Sequence, residues 1–178
     1  TRLSRGLGDV YKRQPLNIFE KRYLDLINDT YNNDKLMGMV QSKKNHTEVY
    51  KIGCLGKISD YQKSKDGRIL INLTGVTRFK ILEEVENKKL YREFKVDYKN
   101  FELDLKDFSK AQDMTSLMEQ SKIFFKRNGI LLNWREFEKL DDAQKINTLS
   151  MISPITTEEK QKLLEALTIA DKVKTLES

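Results

Sequence analysis

Apolar and polar residues follow two different periods along this chain, and the change between them divides it in two. Between residues 36 and 98, apolar side chains alternate with polar ones, the period-2 pattern of half-buried strands. From about residue 107 onward the apolar spacing becomes three or four residues, which is typical of amphipathic helices. Because the strands follow one another without long helices between them, the pattern favours an antiparallel curled sheet or small barrel. We therefore expect an α+β protein.

The first element is predicted to be a helix that begins directly after Pro15. Phe19, Tyr23, Ile27 and Tyr31 recur every four residues, so they would form one apolar stripe that meets a core. Both Phe19 and Tyr23 are therefore expected to face the interior.

A hairpin is the clearest element of the β half. Its two alternating runs, 49–58 and 69–73, are connected through Asp66-Gly67, a dipeptide suited to turns with positive φ. Antiparallel pairing of these two runs is therefore predicted.

Glycines interrupt the predicted strands of this half. Gly53 is expected to mark a bend or bulge in the first strand of the hairpin, and Gly75 to break the second, which continues at Phe79. Residues 36–41 and 94–98 have the length and pattern of further strands.

The second half carries helix boundary signals. Gly129 follows an apolar stripe and is expected to lie just after the end of a helix. Thr156 stands three residues before Glu159, which is the spacing of a capping box. Other candidate N-caps are Asn133 and either Asp141 or Asp142. The apolar residues of the predicted helices are Ala111, Met114, Leu117, Met118, Phe125, Ile146, Leu149, Ile152, Leu163, Leu164 and Leu167.

Length and composition narrow the class of protein. A chain of 178 residues can bury roughly 70% of the surface that its unfolded form exposes, enough for a real core. The single cysteine, Cys54, excludes an internal disulfide, and the sequence shows neither a long apolar run nor a secretory leader. These features predict a cytoplasmic protein that does not contact membranes.

Half of the basic excess lies in the first 14 residues. The chain carries a net charge of +6, and this segment holds four basic residues against one acidic residue. It lacks apolar periodicity and an initiator Met, and it ends in GDVYKRQ, which looks like translated adapter sequence. We interpret residues 1–14 as a non-native or disordered tail. On this interpretation the chain is a truncated fragment that has lost its opening strand.

Candidate catalytic signals are weak. The GCLGKIS segment at 53–59 has too few residues between its first glycine and the Gly-Lys pair for a phosphate-binding loop. His46 is the only histidine, so one chain cannot build a histidine triad or a multi-histidine metal site. Cys54 fits the apolar face of a strand better than a nucleophile. The sequence therefore predicts no catalytic residue, no metal and no cofactor.

Three segments carry a resemblance to a known family. They are PLNIFEKRYL at 15–24, VYKIGCLGKI at 49–58 and DGRILINLTGVTRFKI at 66–81, followed by a helical end at 149–167. In this order they resemble the substrate-binding domain found at the N-terminus of Lon proteases and as a stand-alone bacterial protein. The residues that match the family motif are Phe19, Glu20, Arg22, Tyr23, Gly53, Gly67, Arg68, Gly75, Arg78 and Phe79.

The resemblance implies a PUA-like antiparallel β pseudo-barrel with one amphipathic helix at 15–105, and an α-helical bundle at 106–178. It implies a non-enzymatic module, without the ATPase and protease domains of Lon, that binds unfolded or damaged polypeptides. An ATP-dependent protease is the expected partner, and nucleic acid is not expected. The alternatives left open are an RNA-binding PUA-like module and a self-associating assembly domain.

Three charged residues of the motif stand next to apolar residues in the sequence. Glu20, Arg22 and Arg78 lie beside apolar residues that are predicted to be buried, where a charge must pair or reach the surface. We expect all three to be structural rather than catalytic, either paired internally or reaching the surface.

Overall fold

Strands predominate in the first part of the chain and helices in the second. The computed structural model describes residues 13–105 and 113–178. The strands are β1 (Arg13–Ile18), β2 (Leu36–Met39), β3 (Ile52–Lys63), β4 (Ile69–Val85) and β5 (Glu93–Asp97), followed by a 3₁₀ segment, Lys99–Leu105. The helices are α1 (Lys21–Tyr31), α2 (Thr115–Arg127), α3 (Trp134–Phe137), α4 (Asp142–Ile152), α5 (Thr157–Glu165) and α6 (Ile169–Glu177).

The described residues form two compact units. Residues 13–105 are the β unit and residues 113–178 are the helical unit. The predicted α+β class is confirmed, because one unit is built on an antiparallel sheet and the other consists of helices.

In the β unit, the long strand β4 is the centre of the sheet. The strand order is β1-β4-β3-β2, and β5 also pairs with β4; all pairs are antiparallel. Along one edge of β4, β1 covers the strand as far as Thr74 and β5 covers it from Lys80. The whole opposite edge, as far as Lys80, pairs with β3.

β1 corrects the expectation that a helix begins directly after Pro15. Pro15 to Ile18 were predicted to lie at the start of a helix, but they pair with β4, from Pro15 opposite Asn72 to Ile18 opposite Ile69. Leu16 and Ile18 alternate with polar residues, and four residues are too few for that period to outweigh the helical stripe that follows. Pro15 is tolerated because β1 pairs with β4 alone among the described residues, and an edge strand does not need every N–H. The helix itself is confirmed from Lys21.

The predicted hairpin is confirmed. Gly67 has a φ of 89° in the turn between β3 and β4, a conformation that favours glycine. The expected break at Gly75 is wrong, because β4 continues through it. The register instead shifts there, with Leu55 opposite Thr77 and Gly56 opposite Gly75, so that β4 carries one extra residue as a bulge.

The core of the β unit lies between α1 and the sheet. Ile27 of α1 is fully buried and Tyr31 stacks on Tyr61 of β3, with ring centroids 4.4 Å apart. The buried residues of this core are Ile18, Ile27, Met37, Ile58, Ile69, Ile71 and Leu73. Because each such side chain contributes roughly 1.5–3 kcal/mol on burial, α1 is fixed on the sheet mainly by apolar packing.

The helical unit has its own core and well-defined helix ends. Gly129 has a φ of 65° just beyond α2, and Thr156 and Glu159 form a capping box at α5, as predicted. Asp141 is the N-cap of α4. The buried residues are Met114, Leu117, Phe125, Phe137, Leu140, Ile146, Leu149 and Val173.

Three residues of the predicted helical stripes fall elsewhere. Ile152 and Leu167 are exposed, because they lie at or beyond the last residues of α4 and α5, where the helical period no longer directs a side chain inward. Ala111 lies outside the described residues, as does the part of the predicted tail that comprises residues 1–12.

Candidate functional site

A large groove opens in the surface of the β unit. Its volume is about 1220 Å³, and more of its lining is apolar than polar. Three stretches of the chain form it, within residues 16–42, 46–55 and 79–98. They include the beginning of α1, all of β2, and the segment that leads into and through β5. The groove is therefore assembled from segments that lie far apart in the sequence.

Large apolar side chains are exposed along this groove. Phe19 is 65% exposed, Leu90 54%, Tyr98 40% and Tyr23 38%, and all four contribute to its lining. The expectation that Phe19 and Tyr23 face the core is wrong. Phe19 precedes Lys21, the first residue of α1, so the four-residue helical period does not apply to it. Clustered exposed apolar side chains of this kind mark interaction sites more often than they stabilise a fold.

Beneath these side chains lies Phe79, which is buried and meets the Tyr98 ring edge-on at 6.5 Å. Gly53 makes room for it, since a Cβ at this position would stand 2.7 Å from Cζ of Phe79 and 2.6 Å from the carbonyl oxygen of Met39. The absence of a side chain at Gly53 thus allows β2, β3 and β4 to pack closely below the groove.

The charges around the groove are held in pairs. Arg22 contacts Glu20 at 3.0 Å, and Lys89 binds Glu93. Arg92 donates from Nε to Glu84 at 2.7 Å, and this hydrogen bond holds the pKa of the Glu84 carboxyl below its ordinary value. The pairs leave the rim close to electrical neutrality.

At Glu20 and Arg22 the structure shows which of the two expected arrangements of the motif charges occurs. Glu20 and Arg22 do pair, but with each other and at the surface, with side chains 46% and 54% exposed. They are not buried beside the core because Phe19 and Tyr23, their neighbours, are themselves exposed.

Tyr91 fixes the segment between β4 and β5. Its hydroxyl donates to Oδ2 of Asp29 on α1 at 2.6 Å, and the residue is buried. Burial, and then the hydrogen bond to the Asp29 carboxylate, raise the pKa of Tyr91 above its ordinary value. The neighbouring residues Leu90 and Arg92 are thereby held at the groove. Sequence reasoning missed Tyr91, because 62 residues separate it from its partner.

Arg78 of β4 is buried and forms a partly buried ion pair in the gap between β1 and β5. Its guanidinium donates to both carboxylate oxygens of Asp104, from Nε at 2.9 Å and from Nη2 at 2.8 Å. The backbone N–H of Arg78 donates to the same carboxylate at 2.9 Å, and the guanidinium lies 4.8 Å from the centre of the Phe101 ring. Asp104 therefore takes the place of a partner strand where β1 and β5 leave β4 uncovered.

The structure separates the family-motif residues into two groups. Phe19, Glu20, Arg22, Tyr23 and Phe79 line the groove. A second group does not line it, and comprises Gly53, Gly67, Arg68, Gly75 and Arg78.

The candidate residues for catalysis or metal binding do not form a cluster. His46 lies in the groove lining with a left-handed φ of 58°, and Cys54 is half-buried on β3. Across residues 13–105 and 113–178, His, Cys, Asp and Glu form no group of three that could hold a metal ion. In the same residues no helix is both long and apolar enough to cross a membrane.

Comparisons with known proteins agree on one family. The family described as the ATP-dependent protease La (LON) substrate-binding domain matches residues 13–177. A Lon protease from Heliobacterium modesticaldum is 23% identical over 175 residues, which cover 93% of this chain and 21% of that protein. The chain thus spans about a fifth of the length of this curated relative.

Two solved structures share the fold. A Lon N-terminal domain protein from Xanthomonas campestris has a TM-score of 0.61 at 18% identity, with 92% of this chain and 87% of that chain covered. The N-terminal domain of a Mycobacterium avium complex Lon protease has a TM-score of 0.61 at 14% identity, with the same shares covered. These comparisons confirm the predicted resemblance and the predicted fold.

Proposed function

Because this chain belongs to the LON substrate-binding domain family, we propose that it is a non-enzymatic module that binds exposed apolar segments of unfolded or damaged polypeptides. The observation that carries the proposal is the groove of the β unit, where Phe19, Tyr23, Leu90 and Tyr98 are exposed together. An ATP-dependent protease is the partner that would receive the bound polypeptide.

Apolar burial supplies the driving force for this function. Covering a large apolar side chain contributes roughly 1.5–3 kcal/mol, so the four exposed side chains together contribute up to roughly 6–12 kcal/mol toward binding and the cost of association. Aromatic residues suit such a site, because they offer a large contact area with few rotatable bonds.

The charged groups of the groove fit binding better than catalysis. Glu20 with Arg22, Lys89 with Glu93 and Arg92 with Glu84 are occupied by one another. A groove with a neutralised rim also favours neutral peptide over phosphate, since nucleic-acid binding depends on basic groups that remain free to contact the backbone.

The test is binding of a fluorescein-labelled peptide, measured by anisotropy. The peptide has alternating valine and threonine and carries no charged side chain. We expect Phe19→Ala combined with Tyr98→Ala to weaken binding by roughly tenfold or more, because buried apolar contact is lost. Leu131→Ala is the matched control, since Leu131 is 97% exposed and lies in the helical unit, outside the groove.

Salt separates the peptide proposal from the RNA alternative. Peptide affinity should change little between about 50 and 200 mM salt, whereas an RNA binder with six to ten phosphate contacts would lose on the order of a thousandfold. Steeply salt-dependent binding of a single-stranded RNA, together with no peptide binding, would overturn the proposal. Equal weakening by the Leu131 control would show that the groove is not the binding site.

A further inference from the structure

The strand β2 lies at the end of the sheet and borders the groove. Its four residues, Leu36–Met39, all contribute to the groove lining, and among the described residues it pairs with β3. Gly38, in the middle of the strand, is exposed. The outer side of β2 is therefore open to the groove.

The alternation of the β2–β3 ladder determines which backbone groups point outward. The C=O of Lys35 accepts from the N–H of Ile58 at 2.8 Å, and the C=O of Gln41 accepts from the N–H of Tyr50 at 2.9 Å. In an antiparallel pair, residues with inward and outward backbone groups alternate. Because residues 35 and 41 point inward, Gly38 and Val40 point their N–H and C=O groups toward the groove.

Leu36 is the first outward position, and its backbone groups already form hydrogen bonds with nearby side chains. Its C=O accepts from the hydroxyl of Thr30 at 2.8 Å, and its N–H donates to Oδ1 of Asp34 at 3.0 Å. These bonds hold the start of β2 straight against α1, so the next two outward positions are presented in order along the groove.

Three strands, β1, β2 and β5, each pair with a single strand in the described residues, and they differ in how their outer sides are protected. Edge strands usually carry proline, charge or a bulge, which discourages pairing with another chain. β1 contains Pro15 and β5 has the charged sequence EFKVD, whereas β2 has the sequence LMGM, with neither charge nor proline. The edge that faces the groove is the unprotected one.

We propose that the groove binds its polypeptide as an added β-strand along β2, with main-chain hydrogen bonds to Gly38 and Val40. This inference rests on the proposed function and names its mode of recognition. The occupant is an extended, uncharged, apolar segment of another polypeptide, since the rim charges near the groove are paired with one another. Main-chain hydrogen bonds give affinity that does not depend on the sequence of the bound segment. Alternate side chains of the added strand enter the apolar groove.

Methylated peptides test this mode directly. The alternating valine-threonine peptide is made in two further versions, with N-methyl groups on two amides of odd-numbered or of even-numbered residues. An added strand uses every second amide, so one version should bind roughly tenfold or more weakly and the other within about twofold of the parent, as expected for lost hydrogen bonds. The pair is matched in composition and in number of methyl groups.

Amide hydrogen exchange in the protein gives a second measurement. Peptide binding should slow exchange at Gly38 and Val40, while Met37 and Met39 serve as internal references because their backbone groups point toward β3. If Gly38 and Val40 are already protected in the free protein and the protein is a dimer, a second copy fills the edge and the inference is overturned.

These experiments can fail for strand addition without failing for peptide binding. If the parent peptide binds and both methylated versions bind equally well or equally poorly, strand addition is wrong and apolar groove binding stands. If the parent peptide does not bind at all, the proposed function itself fails.

Discussion

Two arginines of the β unit show how position in the fold decides the role of a charge. Arg78 and Arg22 both stand next to an aromatic residue in the sequence, and both form an ion pair with a carboxylate. The side chains of Arg78 and Asp104 are 8% and 21% exposed, whereas those of Arg22 and Glu20 are 54% and 46% exposed. Because interaction between charges grows as water is excluded, the first pair is part of the fold and the second is part of a surface.

The largest expected effect is therefore at Arg78. Replacement by alanine should lower the free energy of unfolding by about 2–4 kcal/mol, somewhat less than for a fully buried pair, because the Asp104 side chain that would lose its partner is 21% exposed. Urea denaturation followed by circular dichroism measures the change. A loss below about 1 kcal/mol would place Arg78 with the surface pairs and would remove the contrast with Arg22.

An intermediate effect is expected at Tyr91, where a buried hydroxyl meets an exposed carboxylate. Tyr91→Phe should lower stability by about 1–3 kcal/mol, the range for a hydrogen bond to a charged group. Peptide binding should weaken as well, because Leu90 and Arg92 are held at the groove through this contact. Unchanged stability and unchanged peptide affinity together would show that the contact with Asp29 does not fix the segment.

The titration of Tyr91 should also make the stability of the protein depend on pH. Tyr91 titrates from neutral to anionic, and its pKa is raised in the folded protein by burial and by the hydrogen bond to Asp29. The stabilisation is therefore fully present below the ordinary tyrosine pKa of about 10 and is lost as the pH rises through the folded value. Urea unfolding at about pH 8 and about pH 11 should show a larger decrease for the wild type than for Tyr91→Phe. An equal decrease in both proteins would assign the effect to other groups.

The smallest effect is expected at Arg22. Arg22→Ala should change the free energy of unfolding by less than about 1 kcal/mol, as is usual for an exposed pair. The same urea experiment that detects the loss at Arg78 serves as the reference. A loss of about 3 kcal/mol would mean that the Glu20–Arg22 pair behaves like a buried one.

Local patterns in the sequence predict much of this fold. The Asp66-Gly67 turn and the capping box of Thr156 and Glu159 depend on residues a few positions apart, and both are confirmed. β1 was missed because its short alternation merges with the four-residue spacing that runs from Phe19 through α1. Periodicity also assigned Phe19 to the core, although whether a side chain is covered depends on which other segments reach it.

The groove could not be derived from local patterns. Its members come from separate stretches of the chain, and the contacts that shape it join Asp29 to Tyr91 and place Gly53 beneath Phe79. Such contacts depend on tertiary packing, which a single sequence does not display. The resemblance to a family indicated a binding module, but it did not indicate the surface.

The central position of β4 has a consequence for how the β unit folds. Its pairing with β3 closes only the short turn at Gly67, whereas its pairing with β1 must bring Ile18 to Ile69 across a long loop, at a larger cost in chain entropy. We therefore expect the β3–β4 hairpin to form the folding nucleus and β1 to dock late. Substitutions of Ile71 should then slow folding, whereas substitutions of Leu16 should mainly accelerate unfolding in stopped-flow experiments.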